Sequence, residues 1–160
     1  MNIPSSFSAA DAARSFGKYL LPRAGEELHC LQIGASTSDA STYLLQNVLT
    51  NAASTLTDVD TWPGSGPTKE TSNDFFKRNT QIFDFIYVDG NRSGPHVLQD
   101  GMNAVRCLAP HGLLAFNDSA WRQKNSAVPG PSPAISALID VFSDEVTVLE
   151  ANNLVWMQRI

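Results

Sequence analysis

Asp89, Asn117 and Asp118 are the residues of this sequence whose types and placement most clearly promise chemistry. Phe83-Asp84-Phe85-Ile86-Tyr87-Val88 runs into Asp89-Gly90, and Gly112-Leu113-Leu114-Ala115-Phe116 runs into Asn117-Asp118. Each is a short apolar run that stops abruptly at carboxylate or amide groups. Oxygen donors of this kind suit a hard cation such as Mg²⁺, which keeps several of its waters. Acids at strand ends also cap the loops and helices that follow them, and that simpler role competes with metal binding here. Which reading holds depends on whether the two strand ends meet.

The elements between and around them argue that they do. Pro95 to Leu108 has helical periodicity, so Phe83–Gly90 and Gly112–Asp118 flank a crossover and must lie parallel. Parallel neighbours deliver Asp89, Asn117 and Asp118 to one sheet edge, the carboxyl-terminal edge where open α/β sheets bind ligands. The rest of the chain alternates in the same way. A helix is expected over Ala9 to Leu21, closed by Pro22, then a strand over Leu28 to Ile33 and a helix over Ala40 to Ala52. Thr55 to Val59 reads as a strand ending at Asp60, and Ser72 to Arg78 as a short helix. Ser132 and Pro133 mark the start of a helix running to Phe142. Glu145 to Glu150 and Leu154 to Gln158 close the chain as a hairpin around Ala151-Asn152-Asn153. Such an order predicts an α/β, Rossmann-like, mostly parallel sheet covered by helices on both faces, in a single domain over residues 1–160.

Composition narrows the partners. Apolar residues make up 42% and charged residues 17% of the 160, ordinary for a globular domain with a real core. Sixteen acidic against eleven basic residues leave a net charge of −5 with no Lys/Arg cluster, which argues against nucleic acid and anionic membrane as partners. The apolar runs are strand-sized, far short of a membrane span. Met1-Asn2-Ile3-Pro4-Ser5-Ser6 lacks the basic start and apolar middle of a signal peptide. Cys30 and Cys107 fall in a strand and a helix without metal-ligand spacing, and read as buried free thiols of a reducing compartment. The expectation is a cytoplasmic protein with a small-molecule substrate, homo-oligomerisation being left open.

Four segments carry a resemblance. They are Leu31-Gln32-Ile33-Gly34 through Ser41-Thr42, Leu56 through Trp62, Phe83 through Gly90, and Pro110-His111-Gly112 through Asp118. In this order the chain resembles the class I S-adenosylmethionine-dependent methyltransferases, nearest the branch of metal-dependent macrolide-sugar O-methyltransferases. The resemblance implies a sheet of order 2-1-4-5-7-6 with the last strand antiparallel, and S-adenosylmethionine as cofactor. It implies cofactor contacts at Gly34, Ala35, Ser36, Asp60, Trp62 and Asp89. It further implies a metal set of Asp89, Asn117 and Asp118, holding Mg²⁺ against the acceptor's hydroxyls, with Asp89 as the catalytic residue.

The residue types agree with that pocket. A glycine directly after a first strand lets the backbone turn tightly near a ligand, and N–H groups at the next helix start can bind a carboxylate. Asp60 offers an acceptor for two ribose hydroxyls. Gly34 could equally be an ordinary strand exit, and Asp60 a loop cap. On the binding reading, Gly34→Val is expected to occlude the ligand and leave the fold largely intact.

The chain also departs from the resembled pattern. Gln32 stands where an acid is usual two residues before the first glycine, and Ala35-Ser36-Thr37-Ser38-Asp39 lacks the second glycine. Asn91-Arg92 follows Asp-Gly in place of the usual histidine, and His96, the one histidine near the site, is a weak candidate base. Only twenty residues, Pro63 to Ile82, separate Trp62 from Phe83. A further strand with its crossover would need at least about 10–12 residues beyond the strand itself. The family's third strand, after which its adenine contact lies, is therefore expected to be missing. That makes Thr55–Val59 an edge strand, with Asp58 as a charge that discourages edge-to-edge pairing. Two functions follow: an O-methyltransferase acting on a small hydroxylated metabolite or sugar, or a shortened non-catalytic relative serving as a binding or partner subunit.

Overall fold

The computed structural model describes residues 9–34, 39–61, 70–91, 93–117, 132–152 and 154–160. In chain order these form α1 (Ala9–Leu20), β1 (His29–Ile33), α2 (Asp39–Tyr43), β2 (Thr55–Val59), α3 (Ser72–Arg78), β3 (Phe83–Val88), α4 (Gly94–Cys107), β4 (Leu108–Asn117), α5 (Pro133–Val141), β5 (Val146–Ala151) and β6 (Leu154–Arg159). The strands make one six-stranded sheet of order β2-β1-β3-β4-β6-β5. β2, β1, β3 and β4 pair in parallel, and β6 runs antiparallel to both β4 and β5. This is the architecture expected, with the last strand in the chain reversed.

The sheet is apolar on both faces because each face carries its own core. Cys30, Phe85, Tyr87, Ala115 and Trp156 pack against Phe16 and Leu20 of α1 and the start of the helical stretch after β1. Phe16 meets Phe85, Tyr87 and Trp156 edge-on, and Trp156 stacks on Phe85 at 5.5 Å. Edge-to-face pairs of this kind add about 0.5–1.5 kcal/mol each beyond the area they bury. On the other face Leu31, Ile33, Ile86, Val88, Leu114 and Phe116 pack against α3, α4 and α5. Strands buried on both faces read as continuous apolar runs, which is why β3 and β4 lack alternation.

Local differences from the sequence reading have local causes. The helix expected to reach Ala52 passes from α2 into a π turn over Leu44–Val48 and stops there. Leu49 N–H closes that turn on the Leu44 carbonyl at 2.8 Å, and Asn51 accepts from the Ala53 N–H at 2.9 Å. An Asn side chain that bonds its own backbone in this way offers an alternative to the helix. β4 starts at Leu108, not Gly112, but its register against β3 shifts between the Phe83–Leu108 and Phe85–Leu113 pairs. The extra residues include His111 at φ 60°, so the expected turn survives as an irregularity within the strand.

Both cysteines are free, Cys30 buried and Cys107 half-buried rather than buried as expected. Burial pushes the Cys30 thiol up to about 12, which leaves it an inert packing group. No helix of the described residues is long and apolar enough to cross a membrane.

Among the described residues between β2 and β3 there is α3 but no strand, and β2 lies at the end of the sheet order. Asp58, however, does not serve the edge. It is half-buried beneath α2, where Ser41 Oγ lies 3.3 Å from both of its carboxylate oxygens. Register makes Asp58 the partner of Gln32 on β1, so both side chains stand on the face that α2 covers. Ser41 Oγ donates to Gln32 Oε1 at 2.8 Å. Ser41 thus ties Gln32 and Asp58 together beneath α2.

Candidate functional site

β1, β2 and β3 end side by side, and their exits converge on one cleft of about 440 Å³. Gly34 leaves β1 at φ 86°, donating its N–H to the Val59 carbonyl at 2.9 Å. On the other side, Asp89 N–H donates to the Ile33 carbonyl at 2.8 Å. A Cβ on Gly34 would sit 2.3 Å from the Asp89 carbonyl oxygen and 2.6 Å from the Gly90 Cα. The glycine is therefore required by the crossing of two backbones and by its left-handed conformation. This corrects the expectation that Gly34→Val would leave the fold largely intact: the side chain would meet main chain before it met a ligand.

Asp60 and Asp89 line the cleft from opposite sides of Gly34. Asp60 follows the last residue of β2, and Asp89 follows the last residue of β3. The buried Tyr87 hydroxyl donates to Asp89 Oδ2 at 3.3 Å, which anchors that carboxylate from inside the sheet. Asn117, 5% exposed, ends β4. Because Val88 pairs with Phe116 in a parallel ladder, Asp89 and Asn117 are the next positions along two adjacent strands. Register thus sets the two residues at neighbouring strand ends, with Asp89 but not Asn117 among the residues lining the cleft. Among the described residues there is no group of three His, Cys, Asp or Glu that could hold a metal ion. Ala35, Ser36, Trp62 and Asp118, also expected at the site, lie outside the described residues.

Apart from His96, the far wall of the cleft comes from residues that sequence reasoning did not single out. Glu70, Thr71, Ser72 and Asn73, at and before the start of α3, line it together with His96 and Asp100 of α4. Thr71 is the N-cap of α3, accepting from Asp74 N–H at 3.1 Å, and its hydroxyl donates to Asp74 Oδ2 at 2.8 Å. Glu70 is held by Arg78, which donates through Nε at 3.1 Å and again through its terminal nitrogen. Asn73 Nδ2 donates to Gln99 Oε1 at 3.3 Å, tying α3 to α4. His96 Nδ1 lies 2.5 Å from Ser93 Oγ at the helix start, with the ring exposed.

Asp100 is 2% exposed. Burial pushes its carboxyl above the ordinary value, against the pull of a hydrogen bond from Ser72 and the nearby His96. Burial likewise pushes up Asp58, with Asp60 adding to the effect and Ser41 opposing it. A helical wheel held the signal for Asp100, which falls three residues after buried Val97 and four before buried Ala104.

The cleft is thus walled by four carboxylates, Asp60, Glu70, Asp89 and Asp100, with apolar floor from Ile33 and Val59. Such a lining favours ligands that are rich in donors or positively charged.

No protein-family model matches the chain, and no curated protein sequence does. Solved structures do. The MycE methyltransferase of the mycinamycin biosynthetic pathway, crystallised with Mg and S-adenosylhomocysteine, superposes with a TM-score of 0.69 at 10% identity, over 91% of this chain and 49% of that one. The O-methyltransferase from Bacillus cereus, in complex with S-adenosylhomocysteine, covers 99% of this chain and 93% of its own, with a TM-score of 0.64 at 10% identity. TomG from Streptomyces achromogenes, an O-methyltransferase of tomaymycin synthesis in complex with S-adenosylmethionine, gives 0.61 at 16% identity, covering 94% and 87%. The chain spans about half the length of the MycE protein, 49%. These likenesses show a Rossmann-like fold shared with those methyltransferases.

Proposed function

We propose that this chain binds S-adenosylmethionine in the cleft between β2 and β3 and serves as an O-methyltransferase for a small hydroxylated metabolite or sugar. One observation carries the reading: Gly34, Asp60 and Asp89 converge on a single cleft at the carboxyl ends of adjacent parallel strands. This is the edge at which open α/β sheets place ligands. A volume of about 440 Å³ falls within the range of small-molecule sites. When bound, the cofactor supplies a methyl group on a cationic sulfonium, and a divalent cation lowers the pKa of the oxygen that receives it.

The chain's own residues do the rest. Asp60 accepts from the ribose hydroxyls. The carboxylates of the cleft set up a field that favours a ligand carrying sulfonium and ammonium charge. Asp89, steadied by Tyr87, stands between that cleft and Asn117, where it can contact both the cofactor and the acceptor side. Asp89, Asn117 and Asp118 are the residues that would hold Mg²⁺, whose preference is for hard oxygen donors of this type. Methyl transfer needs alignment with the sulfonium more than covalent help, so positioning is the protein's main contribution.

Calorimetric titration with S-adenosylhomocysteine tests the cofactor reading, and a methyl-transfer assay with Mg²⁺ over sugar and phenol acceptors tests turnover. Binding with no transfer would favour the non-catalytic alternative, to which the absence of a strand beside β2 among the described residues lends some weight. Failure to bind at millimolar ligand would overturn the proposal.

A further inference from the structure

Among the described residues no strand lies beside β2, and the far wall of the cleft is built by α3 and α4. Its chemistry is specific. Four polar side chains of that wall are already committed to protein partners or open to water: Glu70 to Arg78, Asn73 to Gln99, Thr71 to the α3 cap, and His96 to Ser93 at the exposed helix start. Asp100 differs in burial: it is 2% exposed while lining the cleft, and the Ser72 hydroxyl from the first turn of α3 leaves most of its acceptor capacity unfilled. Asp60 lines the same cleft from the end of β2.

A carboxylate removed from water is costly unless donors replace its lost solvation. A ligand that brings an N–H to Asp100 is therefore favoured, and one that brings a carbonyl oxygen is rejected. From this we infer that Asp100 is the base-reading residue of the cleft, accepting a hydrogen bond from the exocyclic amine of a 6-aminopurine, with Ser72 as its positioning residue. The inference rests on the reading of the cleft as a site for S-adenosylmethionine, and it assigns base recognition to α3 and α4. Sites built to pair a buried polar group discriminate far better than apolar pockets do.

The experiment compares S-adenosylhomocysteine with S-inosylhomocysteine, in which an oxygen replaces the amine, by calorimetric titration. The unaltered protein should bind the adenosyl compound at least about tenfold more tightly, roughly 1.4 kcal/mol. Asp100→Asn, whose amide can donate to the 6-oxo group, should erase or invert that ratio. Retained binding of the inosyl compound then shows that the variant's cleft is intact. Should Asp100→Asn fail to fold, Ser72→Ala replaces it and should narrow the ratio. Equal affinity of the unaltered protein for the two compounds, or a ratio that these variants leave unchanged, overturns the inference while leaving the cofactor reading standing. Binding of neither compound at millimolar concentration overturns both.

Discussion

The backbones of Gly34 and Asp89 touch: a Cβ on the glycine would lie 2.3 Å from the carbonyl oxygen of the aspartate. That contact locks the exit of β1 against the exit of β3, and the Gly34 N–H locks it against β2 through Val59. The positions of Asp60 and Asp89 in the cleft are consequently set by one residue that has no side chain.

Gly34→Ala should therefore destabilise the fold as well as the site. The left-handed conformation alone costs a non-glycine residue about 1–2 kcal/mol. The clash is with main chain, which cannot swing away as a flexible side chain could. A total loss of at least about 3 kcal/mol is expected, in the range of strain and overpacking effects. Urea denaturation measures it. A variant within about 0.5 kcal/mol of the unaltered protein, the usual range for innocuous surface changes, would show that the two strand exits move apart freely.

Asp60→Ala should behave in the opposite way. Asp60 follows the last residue of β2, forms a single bridge there and is no part of the apolar core, so the fold should survive. The affinity for S-adenosylhomocysteine should fall by roughly 1–3 kcal/mol, the cost of losing hydrogen bonds to a charged acceptor. Calorimetry on the folded variant decides, and an unchanged affinity would remove Asp60 from the ribose role.

How much of this was legible in the sequence differs by element. The strand over Thr55–Val59 and the short helix near Ser72–Arg78 were readable because each is a short run set off by loop residues, a local signal. Parallel pairing followed from alternation and from the rule that crossovers join parallel strands, whereas the order of the strands came from the resemblance. Asp58 was misread because its sequence neighbours say nothing about which face of β2 α2 would cover. Only register against Gln32 and the arrival of Ser41 turn it inward. Asp100 went unnoticed for a related reason. An acid within an amphipathic helix is taken as solvent-facing, whereas this one lies on the stripe that packs beneath the cleft. Gly34 was recognised as special, but its reason, contact with Asp89, joins residues distant in sequence.

The pH dependence of stability should show Asp58 as a liability. Its folded carboxyl is raised above the ordinary 3.8, mainly by burial, so the folded state holds its proton more tightly than the unfolded state. Stability from this group is greatest below 3.8 and falls as pH rises through the folded value. Asp58→Asn keeps an acceptor for Ser41 and removes the buried charge. It should melt higher than the unaltered protein at neutral pH, with the difference vanishing below pH 3.8. A lower melting temperature at pH 7 would mean that the carboxylate's bond to Ser41 outweighs its burial.

Glu150 has the reverse sign. Lys18, Tyr19 and Asn152 all donate to it, the first two from α1, and hold its carboxyl down at about 2. Its contribution is present above the ordinary 4.5 and is lost as pH falls through about 2. Lys18 is 61% exposed, so solvent screens the pair and the effect should be modest and weaken with salt. Glu150→Gln should lower the melting temperature at pH 7 and converge with the unaltered protein at pH 2. A gap that persists at pH 2 would assign the loss to packing of α1 on the β5–β6 hairpin instead of charge.

The metal proposal makes the sharpest demand on chemistry. Register sets Asp89 and Asn117 at successive positions beyond a shared pairing of β3 and β4, and Asp118 is the next residue in the chain. Two carboxylates and an amide suit Mg²⁺, which retains waters in such sites. Its proposed role concerns the acceptor oxygen, whereas Gly34 and Asp60 belong to the cofactor side of Asp89. The two functions should therefore separate under mutation. Asp118→Ala should abolish methyl transfer and leave affinity for S-adenosylhomocysteine within about twofold, under 0.5 kcal/mol. Chelator should do the same to the unaltered protein, and Mg²⁺ should restore it. Asn117→Asp, which adds a third carboxylate, should lower the Mg²⁺ concentration needed for half-maximal activity. Transfer that proceeds unchanged in chelator would return Asp89, Asn117 and Asp118 to the role of loop caps.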